Sequence, residues 1–376
     1  VIIEGEYSMK NMISELTIKN FKSIKDITLS CKQVNIFVGK PNTGKSNILE
    51  AISLLSGGGL VPGKRFFDGA IHYESLDNLF YDQDNSQVIS VESSIGSAQL
   101  SFFHEDEKFG YFGDSNKTQA LRNVLNYSSN IDAYQNLLRE KEFAESITEK
   151  INPATYLGSL IYDDGKVERM TSPAWLTPVR NYLFKRQVNI GSSESNYLLP
   201  PHGENLWSVM QRTPKLREIA GEFFKQFGLD LVLVHDEKIK KIKIQKESDG
   251  IFIHFPYSLV ADTLQRMIFH LAAIYSNRDA VILFEEPEAH TYAPYQSYLA
   301  GEIIEDEQNQ YFITTHSEQI FDSILRPNPE KVNVYVVGYD DNQTTVKLLS
   351  DEEVTDCLNN YTSIFSNLEK YSRYEA

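Results

Sequence analysis

Gly39-Lys40-Pro41-Asn42-Thr43-Gly44-Lys45-Ser46 decides how this chain is read. The stretch satisfies G-x-x-x-x-G-K-[ST], and its surroundings are those a phosphate-binding loop needs. An apolar strand is predicted just before it, over Val34 to Val38. A helical pattern follows, with Ile48, Leu49, Ala51, Ile52, Leu54 and Leu55 on one stripe. Gly57-Gly58-Gly59 then marks the helix end, as glycines past a C-terminus do.

The residue types dictate the chemistry. Gly39 and Gly44 allow turns closed to residues with a Cβ. The amides of roughly Asn42 to Ser46, Thr43 included, can then point at a phosphate. A helix starting near Lys45 adds its positive dipole end. Lys45 is expected at the β- and γ-phosphates of ATP, and the Ser46 hydroxyl at Mg²⁺.

Composition narrows the class. The 376 residues allow one large domain or two ordinary ones, and 41% apolar residues suffice for a sizeable core. A net charge of −16 argues against a surface built for non-specific phosphate contacts. The run Lys238-Ile239-Lys240-Lys241-Ile242-Lys243 reads as an exposed strand edge guarded by lysines, or as a local basic groove. Cys31 and Cys357 form no C-x-x-C pair, so neither a zinc site nor a disulfide framework is indicated. That fits a reducing, cytoplasmic compartment. No run reaches the length of a membrane span and no signal peptide is visible, so no membrane partner is expected. Residues before Met12 read poorly, as an added remnant or an alternative start.

Further along, residues 13–18 and 26–30 alternate as strands around Asn20-Phe21-Lys22-Ser23. Residues 87–95, 98–104 and 108–112 read as short antiparallel strands, and 118–150 as about two helices. Helices are predicted over 214–227, 263–275 and 294–304, and strands over 231–234, 239–245 and 251–255. Ala280 to Phe284 is a continuous apolar run suited to a central parallel strand. Tyr311 to Thr314 is a second buried strand, and 332–348 a hairpin turning at Asp340-Asp341-Asn342.

Both buried strands end in chemistry. The first runs into Glu285-Glu286-Pro287-Glu288. An acid at such a strand end holds the Mg²⁺ shell, and Glu285 fills that place. A second acid beside it polarises the attacking water, which assigns Glu286 as the catalytic base. The second strand runs into Thr314-Thr315-His316-Ser317, where His316 can sense the γ-phosphate or position the water.

The order phosphate loop, insertion, signature-like helix, Glu-Glu-Pro-Glu and Thr-Thr-His-Ser resembles ABC-type ATPases of the RecF/SMC/OLD group. Leu16-Thr17-Ile18-Lys19-Asn20-Phe21-Lys22-Ser23 looks like that group's first hairpin, and Gly203-x-Asn205-Leu206 like a step before its signature. The likeness runs from about residue 12 to 350. It is most similar to compact OLD-like ATPases of prokaryotic anti-phage systems, such as Septu, retron-associated and PARIS-type subunits. The fold it implies is an α/β ATPase head with a mixed central sheet, an antiparallel β subdomain and a short helical insertion. Its division is a head over residues 1–112 and 171–350, an insertion over 113–170 and a helical tail over 351–376.

The resemblance also implies two heads closing on nucleotide, as a homodimer or higher homo-oligomer, each ATP held between the phosphate loop of one and the signature of the other. It places Lys22 near the nucleotide. The signature region Tyr257-Ser258-Leu259-Val260-Ala261-Asp262 lacks the usual glycine, and Ser258 is the candidate trans contact. The Mg²⁺ acid is Glu where Asp is commoner. The Gln that binds Mg²⁺ in the group is Gln83, Gln87 or Gln99.

Several functions fit this frame. One is a dimerising ATPase switch in phage defence, controlling a separate nuclease or toxin and triggered by a nucleic acid or a phage component. No late acid cluster resembles a TOPRIM nuclease, which is why the effector is expected to be separate. A second is a RecF/SMC-like DNA-repair or chromosome-handling ATPase. The missing signature glycine and Glu288-Ala289-His290 speak against a transporter subunit. A nucleotide-gated scaffold with little turnover remains as a fourth.

Overall fold

The structure is a computed structural model, describing residues 11–57, 60–104, 107–115, 156–170, 177–186, 188, 191, 193–236, 239–359 and 363–372. Its centre is a six-stranded sheet. β3 (Val34–Val38), β9 (Val179–Tyr182), β13 (Val281–Glu285), β14 (Gln310–Thr314), β15 (Val332–Asp340) and β16 (Gln343–Leu348) lie in the order β16-β15-β3-β14-β13-β9. The pairs from β15 to β9 are all parallel, and β16 returns antiparallel along β15.

Both faces of this sheet are buried, which explains the continuous apolar runs. Val34, Ile36 and Val38 point into one core, with Ile282, Phe284, Tyr311 and Ile313. That core is closed by α4 (Asp262–Ser276), α5 (Ala293–Glu305) and α6 (Glu318–Leu325). Phe37, Leu283 and Phe312 point to the other side, against α1 (Lys45–Ser53). Phe37 stacks between Tyr335 at 5.1 Å and Phe312 at 6.3 Å. Alternation across a pleat sets which residue enters which core.

A seven-stranded antiparallel sheet covers α1. It comprises β1 (Glu15–Phe21), β2 (Ile24–Ser30), β4 (Ile89–Ser93), β5 (Ser97–Phe103), β6 (Lys108–Asp114), β7 (Tyr156–Tyr162) and β8 (Val167–Met170), in the order β2-β1-β4-β5-β6-β7-β8. The range 113–170 expected as a helical insertion therefore needs correction. Residues 156–162 and 167–170 are strands, and Phe109 pairs with Ile161. The two helices expected over 118–150 lie outside the described residues.

A third sheet holds β10 (Asp230–Asp236), β11 (Ile239–Ser248) and β12 (Ile251–Pro256) beside α2 (Leu206–Arg212) and α3 (Pro214–Lys225). After the last strand come two helices, α7 (Asp351–Asn359) and α8 (Leu368–Ser372). The β15–β16 hairpin turns through Asp341 (φ 46°) and Asn342 (φ 57°). Both residues take the left-handed conformation that a two-residue hairpin loop demands, and Asp and Asn accept it more readily than most. Among the described residues, no helix is long and apolar enough to cross a membrane.

Candidate active site

Three adjacent parallel strands deliver the three motifs to one edge. β3 runs into the phosphate loop, β14 beside it into Thr315 and His316, and β13 beside that into Glu286. Ligands bind at such carboxyl ends in parallel sheets. Backbone bonds stitch the ends together. Thr315 N–H donates to the Phe37 carbonyl at 3.2 Å, and Glu286 N–H donates to the Thr314 carbonyl at 3.0 Å. Glu286 is held at φ 41°, a left-handed conformation that costs energy for a residue with a Cβ. Its own strand and the Thr314 bond hold it there.

The loop has the predicted shape. Asn42 (φ 61°) and Gly44 (φ 95°) are left-handed, which curls the intervening amides to one side. Thr43 is buried, and its hydroxyl donates to the Lys40 carbonyl at 3.0 Å. α1 begins at Lys45, so Lys45 and Ser46 open the helix. The Lys45 ammonium donates to the carbonyls of Gly39 (3.1 Å) and Lys40 (2.8 Å). Burial lowers the pKa of Lys45 from its ordinary value, while the Glu286 and Glu285 carboxylates work in the opposite direction. The acid pair is thus close enough to act on the loop lysine. His316 Nε2 lies 3.5 Å from Glu286 Oε1. Its pKa is lowered by burial and by the Lys45 charge, against the raising effect of Glu286. Near neutral pH this imidazole is therefore uncharged and can accept or relay a proton.

Other residues hold these groups in place, and the sequence had not singled them out. A β-carbon on Gly39 would lie 2.3 Å from the Val337 carbonyl of β15. One on Gly44 would lie 2.1 Å from Thr344 Oγ1 of β16. The hairpin thus presses directly on the loop. Thr344 donates from its hydroxyl to the Thr43 carbonyl at 3.0 Å, and its N–H donates to the Ser23 carbonyl at 2.7 Å. Ser23 Oγ lies 2.7 Å from Thr344 Oγ1 and accepts from Asn47 Nδ2 at 2.7 Å. Glu288 clamps the histidine segment. Its Oε1 accepts from Thr315 Oγ1 at 2.9 Å and from His316 N–H at 2.7 Å. Burial raises the Glu288 pKa, against the lowering effect of those bonds.

Lys22 is ion-paired with Glu50 of α1, which also accepts from His72. Ser258 is exposed in the turn before α4. With no glycine there, Gln265 steadies that turn from α4, donating to the Val260 carbonyl at 2.8 Å. Gln83 ends a short turn, Gln87 donates to Ser86, and Gln99 lies mid-strand in β5. Among the described residues, none of the three hydrogen-bonds to the phosphate loop.

Residues 12–160 match the family model described as AAA ATPase domain. The chain is a P-loop ATP hydrolase. This ATPase is 21% identical over 353 residues to a Helicobacter pylori protein named ATP/GTP phosphatase, covering 84% of the present chain and 89% of that relative. Among solved structures, an SMC head bound to the C-winged helix domain of ScpA aligns at 15% identity, covering 92% of this chain and 99% of that one, with a TM-score of 0.48. The SMC head domain from Thermotoga maritima aligns at 12% identity, covering 90% and 99%, with a TM-score of 0.41.

The residues also suit a divalent ion. The Ser46 hydroxyl, in the first turn of α1, and the Glu285 carboxylate, at the end of β13, are the hard oxygen donors Mg²⁺ takes.

Proposed function

We propose that this ATPase is a Mg²⁺-dependent molecular switch. In this reading it closes head-to-head with a second copy on ATP and controls a separate effector, a nuclease or toxin, in prokaryotic defence against phage. The supporting observation is the convergence of Lys45, Glu286 and His316 at the ends of three adjacent strands. The loop amides of roughly Asn42 to Ser46 cradle the phosphates, and Lys45 neutralises charge between the β- and γ-phosphates. Ser46 and Glu285 hold the magnesium, which supplies charge neutralisation on the phosphates when bound. Glu286 orients and polarises the attacking water, and neutral His316 steadies it beside the γ-phosphate. In this reading Ser258, exposed ahead of α4, contacts the nucleotide held by a second copy. Lys22, tied to Glu50, fixes the first hairpin to the loop helix rather than touching nucleotide. The defence setting and the effector rest on the resemblance of motif order.

The test is single-turnover hydrolysis with Glu286→Gln and Lys45→Ala, alongside calorimetry for Mg-ATP. Glu286→Gln is expected to bind ATP, to trap a dimer and to hydrolyse at least about 100-fold more slowly, within the range of general-base losses. Lys45→Ala is expected to lose binding. Parental hydrolysis in Glu286→Gln would remove the base assignment.

A second reading is a DNA-handling ATPase, favoured by the lysines Lys241, Lys243 and Lys246 displayed on β11. Duplex binding whose affinity falls steeply with salt supports that reading. Absence of such binding leaves the switch with a protein effector.

A further inference from the structure

The outer strand of the third sheet is an open edge. Among the described residues β12 pairs only with β11, and every residue along it is exposed. Ile251, Phe252, Ile253 and Phe255, with Leu259 just beyond, are between 37% and 70% exposed. Edge strands are normally guarded by charges, a proline or a bulge. β10, the opposite edge of this sheet, begins and ends in Asp230 and Asp236. Ile251 to Phe255 carries no Asp, Glu, Lys, Arg or Pro, and its register with β11 runs without a shift.

The turn before β12 fixes which backbone groups face outward. Asp249 (φ 55°) and Gly250 (φ 76°) form a two-residue hairpin loop, closed by the hydrogen-bonded pair Ser248–Ile251. Bonded and non-bonded pairs alternate along an antiparallel ladder, so Lys246–Ile253 and Ile244–Phe255 are bonded pairs too. Pro256, which has no N–H, falls at a non-bonded position. The N–H and C=O groups of Phe252 and His254 therefore point away from β11, toward the open edge.

A second β12, running antiparallel across a two-fold axis at Ile253, matches those groups. Phe252 of one copy faces His254 of the other as a bonded pair, and the axis repeats this, giving four main-chain bonds. Ile253 meets its own counterpart, and Ile251 meets Phe255. Ile251, Ile253 and Phe255 extend the apolar face that Ile242 and Ile244 begin in the core. No charge on the strand opposes a like charge in this register. The five apolar residues expose roughly 500 Å² per copy, about 1,000 Å² for a pair, which reaches the size of a small specific interface. We propose that β12 pairs with β12 of a second copy, joining two three-stranded sheets edge to edge in a dimer that needs no nucleotide.

Because this pairing is independent of ATP, it is tested apart from closure of the heads on nucleotide. The full chain, without nucleotide, is followed by analytical ultracentrifugation from about 1 to 100 µM, the range suited to a small interface. Its mass is expected to rise from that of one chain toward that of two. Ile253→Lys sets two ammonium groups face to face at the axis, from an exposed position. It is expected to stay monomeric throughout and to melt like the dilute parent. Cysteine variants read the register, since the native Cys31 and Cys357 are buried. Non-bonded partners have Cα atoms about 4.5 Å apart, within reach of a disulfide. Mild oxidation is therefore expected to link Ile253→Cys chains in pairs. Ile251→Cys, four residues out of register with its own counterpart, is expected not to link. The proposal is overturned if the parent stays monomeric over the whole range, if Ile253→Lys dimerises like the parent, if Ile253→Cys does not link, or if Ile251→Cys links as readily.

Discussion

Replacing Thr344 by Val tests whether the hairpin β15–β16 holds the phosphate loop in its binding shape. The two side chains have nearly the same volume, and Thr344 is only 3% exposed, so packing is preserved and the hydroxyl alone is lost. That hydroxyl donates to the Thr43 carbonyl at 3.0 Å. Ser23 Oγ, its other neighbour at 2.7 Å, keeps the bond from Asn47. The main-chain bond from Thr344 N–H to the Ser23 carbonyl also remains. The net change is one loop carbonyl deprived of a donor and the Ser23 hydroxyl deprived of an acceptor, worth about 1–2 kcal/mol. If that energy holds the loop in its phosphate-ready form, Mg-nucleotide affinity falls roughly five- to thirty-fold, at 1.4 kcal/mol per factor of ten. The assay is calorimetric titration of parent, Thr344→Val and Thr344→Ser with a non-hydrolysable ATP analogue, with thermal melts in parallel. Thr344→Ser keeps the hydroxyl and is expected to bind like the parent. A Thr344→Val protein with parental affinity refutes the reasoning, because the hairpin then merely abuts the loop. Equal loss in Val and Ser refutes it differently, since the methyl and not the hydroxyl then matters.

Glu288→Ala, which leaves the fully buried Thr315 hydroxyl and the His316 N–H without their acceptor, should lower kcat about ten-fold with little change in KM, whereas Glu288→Gln, keeping an oxygen there, should stay near the parent; steady-state ATPase assays decide it. His270, 3% exposed against Phe284, has its pKa pushed down to about 3 by burial, from 6.5. The unfolded chain therefore takes up this proton first as pH falls, so stability is full above about 6.5 and drops by about 2 kcal/mol on going to pH 5; denaturant melts of His270→Leu should show a shallower acid decline than the parent. A fragment spanning residues 12–160 should bind no Mg-ATP by calorimetry, because β3 loses both its sheet neighbours, β14 and β15, and with them the bonds that shape the loop.

The parts of the site that lie close together in the chain were legible. The pattern at Gly39 to Ser46 gave the strand at its observed limits and the helix start at Lys45, because glycines, apolar strand and helical stripe are adjacent, while the expected helical stripe to Leu55 passes the end of α1 at Ser53 into a tighter turn. The apolar runs before Glu285 and Thr315 read correctly as central strands, since burial on both faces removes the alternation of a half-exposed strand. Thr344 was not legible. It is 301 residues from Thr43, and a threonine after a hairpin turn looks like any strand residue. The range 113–170 was misread as one insertion because the polar 118–150 stretch dominated it, although Tyr156 to Tyr162 alternates as a strand that completes the antiparallel sheet. The resemblance places Lys22 near the nucleotide, and its pairing with Glu50, one helical turn beyond Ser46, was not legible in the sequence.

The position of Lys45 ties these observations together. A buried ammonium without partners is expensive, and burial does press its pKa downward. The lysine meets that cost by donating to the Gly39 and Lys40 carbonyls, which are themselves part of the loop. These bonds follow the curl of the loop, which Val337 and Thr344 brace from behind. A phosphate bound in the loop meets the same ammonium. It must offer the ammonium a better partner than two carbonyl oxygens, and a polyphosphate anion does so through charge-assisted bonds of roughly twice the strength. Discrimination then follows from the same competition. A neutral ligand cannot draw Lys45 from its carbonyls, so the loop answers to the charge of the phosphate chain before any contact to base or sugar.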